Sequence, residues 1–164
     1  MDSSPFGMGS VLEVDGVTLH YIETEISEAD VSRYHHQRGA DTGQQTWESL
    51  IVLISFRPWR SFWHGVRVQL AVRGDNRGAL SLLLTLRSKG DGPISVGREL
   101  ALDLGDGTYA PAVVEHLPGA ANDLTDELSR RTDPRHQPWS LPSALHSVSR
   151  TEVPARDSSY YYVK

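Results

Sequence analysis

"GMGSVLEVDGVTLHYI", residues 7–22, places Asp15 and Gly16 between two runs of β-forming residues. An Asp-Gly pair in that setting favours a tight turn with both central residues left-handed, so the stretch predicts an antiparallel hairpin. Upstream, Met1-Asp2-Ser3-Ser4-Pro5 is too short for a whole strand and predicts only part of one beside the hairpin. Downstream, Trp47, Leu50, Ile51 and Ile54 recur at helical spacing and predict a helix from an N-cap at Thr46 to a stop at Pro58, about Trp59. Residues 66–72 alternate around Arg67, Gln69 and Arg73 as a half-buried strand would, ending in "RGDN" at 73–76. Leu-rich residues 77–87 read as a helix closed by Lys89-Gly90, and 93–105 as a second, opened by Pro93 and ended by Gly105. A strand at 112–115, a Pro118-Gly119 turn and a helix at 122–131 complete the pattern. The hairpin is antiparallel, whereas strand–helix–strand connections favour parallel neighbours. The fold class predicted is therefore α/β, a mixed sheet with flanking helices.

The chain has 164 residues, 38% hydrophobic and 23% charged, which suits one globular domain. It contains no cysteine, which excludes disulfides and thiolate metal sites. No apolar run approaches the roughly 20 residues that span a bilayer, and no signal-peptide pattern is present. These features predict an intracellular protein, cytoplasmic or nuclear, not secreted, with no membrane partner. The formal net charge of −5 argues against a broad basic face for nucleic acid, so any such role must rest on a local site.

Four acids occupy special places in this scheme: Asp2 on the first strand, Glu48 in the first helical turn, Asp75 at a strand end and Asp126 in the last helix. Sites in open α/β sheets form where strands end. Each acid also has an ordinary reading. Glu48 would complement a helix dipole, Asp75 would sit in a turn, and Asp126 would pair with Arg130 four residues on. Asp2 would be solvated.

Their flanks occur in one order: Asp2-Ser3-Ser4-Pro5 running into "FGMGSVL" (6–12), then "QQTWESLIVL" (44–53), "VRGDNRGALSLLL" (72–84) and "HLPGAANDLTDELSR" (116–130). Together they resemble the ribonuclease H domain of long-terminal-repeat retrotransposon reverse transcriptases over about residues 2–134. The last string is similar to the family's H-x-P-G-x-x-N-x-x-A-D-x-L-S-R ending, with Thr125 where alanine is usual. The resemblance implies a ribonuclease H-like mixed sheet with a truncated first strand, since only Met1 precedes Asp2. It implies a metal-binding quartet of Asp2, Glu48, Asp75 and Asp126, and a mobile catalytic histidine at His116. Asp123 competes for the fourth place, but 126 minus 116 gives the family's ten-residue step. Ser3, Ser4 and Asn76 are candidate contacts to the hybrid backbone, with turn chemistry as the alternative.

By this resemblance the activity is endonucleolytic hydrolysis of the RNA strand of an RNA–DNA hybrid, with two Mg²⁺ or Mn²⁺ ions as cofactors. Hard cations prefer oxygen ligands, and paired ions suit in-line displacement at phosphorus. Selection of RNA rests on its 2′-hydroxyl. His116, with an imidazole that titrates near neutrality, would move a proton or assist product release. The implied partners are the hybrid and the polymerase portion of a parent polyprotein. A second reading stays open: a degenerate, non-catalytic module that supports a reverse transcriptase. The two units expected are a domain at 1–133 and a Pro-rich tail or linker at 134–164, where Pro134, Pro138, Pro142 and Pro154 interrupt any periodicity.

Overall fold

The computed structural model describes residues 1–63, 65, 68–105, 109–118 and 122–163. Val66, Arg67 and Gly119, assigned above to a strand and a turn, lie outside the described residues.

The hairpin forms from β2 (Gly7–Val14) and β3 (Val17–Glu25). Asp15 and Gly16 take φ values of 51° and 77°, the left-handed pair that the tight turn demands. A bulge falls between Leu12 and Glu13. The two-residue β1 (Asp2–Ser3) pairs antiparallel with the start of β2, Asp2 opposite Gly9 and Ser3 opposite Met8. Further along the chain, β4 (Val68–Gly74) and β5 (Tyr109–His116) form a parallel pair. The Met1 amino nitrogen donates to Arg73 O at 3.0 Å, which sets β1 beside β4 and the two sheets edge to edge. The molecule is thus mixed α/β, with antiparallel and parallel strands and helices packed on them.

The central helix, α2 (Gln44–Trp63), is buried from Thr46 through Phe56, which is why it shows no polar stripe there. Its Ser49 and Ser55 hydroxyls stay satisfied by donating to Gln45 O and Ile51 O, one turn back. The predicted stop at Pro58 is corrected, because the helix continues through it. A helix-interior proline costs about 3 kcal/mol. Beyond it, Trp59 (3% exposed) and Trp63 (4%) are buried, and each such aromatic returns a comparable amount. Trp59 Nε1 also donates to Thr151 Oγ1 at 2.9 Å.

Four shorter helices surround this axis. Unpredicted from the pattern, α1 (Glu28–Tyr34) is started by a reciprocal cap between Ser27 and Asp30. Asn76 caps α3 (Arg77–Thr85) by accepting from Gly78 N and Ala79 N. The other two are α4 (Asp91–Gly105) and α5 (Asp123–Ser129).

Residues 134–163, expected as a tail or linker, instead pack across the body. Leu145 buries against Tyr21 and Leu128, and β6 (Ser149–Arg150) adds in parallel to β3. Arg156 is buried with Asp30, Nη2 to Oδ2 at 2.7 Å. Glu99 on α4 accepts from Tyr162 N and Val163 N at 3.0 and 2.7 Å. Isolated anchors at irregular spacing hold this segment, so no periodicity announces it.

Candidate metal centre

Three acids remote in sequence meet where β1, α2 and β4 converge. Asp2 projects from β1, Glu48 from the first turns of α2, and Asp75 lies one residue past β4. One carboxylate oxygen from each lies within 4.8 Å of the other two. Asp2 and Glu48 are each 5% exposed, and Asp75 is half-buried.

Neighbouring side chains position the cluster. Gln44, one turn before Glu48, donates to Glu48 Oε1 at 3.0 Å and to Ser3 O at 2.6 Å, tying α2 to β1. Ser129 on α5 donates to Asp2 Oδ2 at 2.9 Å. Helix α5 can reach Asp2 because the opposing position on β2 is glycine. A Cβ at Gly9 would stand 2.5 Å from Leu128 Cβ and 2.5 Å from Thr125 O. That close approach seats α5 directly on the strand.

Electrostatics record the crowding. Burial first, and then the charge of Asp75, raise the Asp2 carboxyl to about 7, while the Ser129 hydrogen bond pulls the other way. Burial, and then the charge of Asp2, raise Glu48 to about 8. Asp75 Oδ1 is a buried oxygen with no hydrogen-bond partner. An orphaned carboxylate oxygen beside two carboxyls forced toward their neutral forms is the environment that a hard cation relieves. The donor set is entirely oxygen, so these three residues could hold a metal ion.

The remaining predicted residues are distributed as follows. Asp126 sits on α5 near enough to add to the upward shift of Asp2. Its own carboxylate is held by Arg130 in a two-point ion pair, Nε to Oδ2 at 2.8 Å and Nη2 to Oδ1 at 2.7 Å. His116 is the exposed last residue of β5, in register with Gly74 and so beside the strand end that carries Asp75. Leu117 N donates to Gly74 O at 2.9 Å and fixes that alignment. Asn76 uses its Oδ1 in the α3 cap, the turn-chemistry alternative. Ser3 Oγ accepts from Gln44 Nε2 at 3.1 Å, at the margin of the cluster. Ser4 is buried and donates to Ser129 O at 2.7 Å while accepting from Gly7 N. Asp123 is exposed in the first turn of α5.

Gln44 and Ser129 lie within the strings at 44–53 and 116–130, but the roles implied by the resemblance fall on Glu48, His116 and Asp126 and pass over both. The i,i+4 spacing of Gln44 and Glu48 is the only local signal for either.

Comparison with protein-family models, curated proteins and solved structures returned no match. Among the described residues, no helix is long and apolar enough to cross a membrane.

Proposed function

We propose that this chain is a ribonuclease H-type nuclease domain that hydrolyses the RNA strand of RNA–DNA hybrids within a reverse transcriptase. The observation that carries the reading is the convergence of Asp2, Glu48 and Asp75, three acids foreseen from separate sequence motifs, within 4.8 Å. The order β3-β2-β1-β4-β5, obtained by joining the two sheets through Met1 and Arg73, suits a ribonuclease H-like fold.

In this reading Asp2, Glu48 and Asp75 hold Mg²⁺ or Mn²⁺, with Asp126 turning from Arg130 to complete the set. Bound there, paired cations supply water activation and charge neutralisation for in-line displacement at phosphorus. Gln44 and Ser129 hold their carboxylates in place through the hydrogen bonds described above. In the same reading His116, exposed at the end of β5 and in register with Gly74, exchanges a proton with an oxygen at phosphorus, which its position one residue from Asp75 along that register supports. The site selects a hybrid through the 2′-hydroxyl of its RNA strand. The setting is intracellular, with the polymerase portion of a polyprotein as partner.

One observation favours the non-catalytic reading: the Asp126–Arg130 pair withholds the fourth carboxylate from the other three. RNA release from a labelled hybrid with Mg²⁺ or Mn²⁺ separates the two. The nuclease reading requires cleavage by the wild-type chain and its loss in Asp75→Asn. Equal cleavage by both removes the site, and no cleavage by either favours the scaffold.

A further inference from the structure

Among the described residues, Arg130 is the only cation that ion-pairs with any of the four acids Asp2, Glu48, Asp75 and Asp126. It does so through two hydrogen bonds to Asp126, Nε to Oδ2 at 2.8 Å and Nη2 to Oδ1 at 2.7 Å. Its remaining nitrogen, Nη1, meets His136 Nε2 at 3.2 Å. Both partners are roughly one-third exposed, so the pair faces solvent and little opposes its exchange for another anion.

The backbone beneath the pair is fixed. Arg130 N donates to Asp126 O at 3.2 Å, and the neighbouring Ser129 is tied by its hydroxyl to Asp2. A change of partner therefore falls to the long Arg130 side chain and not to α5. That side chain already lies in the field of the cluster. Its hydrogen bonds to Asp126, and further on the charge of Asp2, raise the Arg130 guanidinium.

We propose that Arg130 is a substrate-operated latch, which holds Asp126 back in the free chain and exchanges it for a backbone phosphodiester when nucleic acid docks. The inference rests on the nuclease reading above and supplies the event that turns Asp126 from Arg130. A guanidinium presents the same planar fork to a phosphodiester as to a carboxylate, so the two anions compete on equal chemical terms. With a phosphate beside the cluster, Arg130 takes two of its oxygens, and the freed Asp126 becomes a fourth oxygen donor. No charge is left unpaired at any stage, which is the state that partial burial penalises. Because two anions share one guanidinium, filling the acid cluster and filling the phosphate position strengthen each other. A cation that arrives alone meets three acids. With substrate in place it meets four.

The test is a double-mutant cycle over Asp126→Asn and Arg130→Ala in the 164-residue chain. The quantity measured is affinity for a fluorescent RNA–DNA hybrid in chelator, where binding is read without cleavage. Asp126→Asn should tighten binding about two- to fivefold while Arg130 is present, because no carboxylate then competes for it. The gain should shrink once Arg130→Ala is added. A fixed pair predicts the opposite order, since Arg130 would only screen Asp126 and its removal would enlarge the gain. An equal or larger gain beside Arg130→Ala therefore overturns the latch, as does hybrid binding too weak to measure in every variant. Either result leaves the nuclease reading to the cleavage assay with Asp75→Asn, which is decided independently.

Discussion

Ser129 donates its hydroxyl hydrogen to Asp2 Oδ2 at 2.9 Å across 127 positions of chain. This bond favours the ionised carboxylate in a buried site, where hydrogen bonds to charged groups contribute about 1.5–3 kcal/mol. Ser129→Ala should therefore raise the Asp2 carboxyl further and weaken Mn²⁺ binding about tenfold, as titration calorimetry reads it. Unchanged affinity would remove Asp2 from the ligand set.

Stability of the metal-free chain should depend on pH in the direction opposite to that of a salt-bridged acid. Asp2 and Glu48 titrate at about 7 and about 8 when folded, against about 4 in an unfolded chain. Folding thus takes up protons between those values. The stabilisation is complete below about pH 4 and is lost as pH rises through 7 and 8, several kcal/mol in all. Urea midpoints in chelator should fall over that window, and Mn²⁺ should reverse the fall. Binding of Mn²⁺ at pH 6 should release protons, detected as a buffer-dependent binding enthalpy.

Arg130 competes for Asp126. Their pair is about one-third exposed on each side, so it contributes about 0.2–1 kcal/mol. Arg130→Ala should free Asp126 and tighten Mn²⁺ binding about two- to fivefold. Adding Asp126→Asn should abolish the gain. No gain in the single variant would leave the cluster at three ligands.

Arg156 bonds Asp30 through Nε at 2.9 Å and Nη2 at 2.7 Å, and Asp30 is fully buried. Arg156→Ala strands that charge and should destabilise the chain by about 3–5 kcal/mol in urea unfolding. Asp30→Ala combined with Arg156→Met should lose less than the two single losses together. Simple additivity would show that the pair is not coupled.

What the sequence disclosed divides along the length scale of the interactions. The hairpin was legible because Asp15 and Gly16 demand their φ values locally. Asp75 was legible because it follows the end of β4, whereas Glu48 was reached through a cap expected at Thr46 that the structure corrects, since α2 begins at Gln44 and Thr46 lies within it. The run past Pro58 was not, since Trp59 and Trp63 owe their burial to distant partners. Helix α1 escaped notice because a Ser27–Asp30 cap starts it rather than an apolar stripe. For Asp126, the i,i+4 pairing with Arg130 was the ordinary alternative, and that pairing is present. Ser129 reaches Asp2 across 127 positions, and Gln44 ties Glu48, four residues on, to Ser3, 41 residues back; no local pattern encodes the two long contacts.

Asp30 does two things that ripen at different moments. It completes the α1 cap with Ser27, a contact three residues long, and it neutralises Arg156, 126 residues further on. On a ribosome adding about 5–20 residues per second, roughly 6–25 seconds separate the emergence of the two. The cap of α1 is thus local, whereas the counter-charge of Asp30 comes from a segment 126 residues further along.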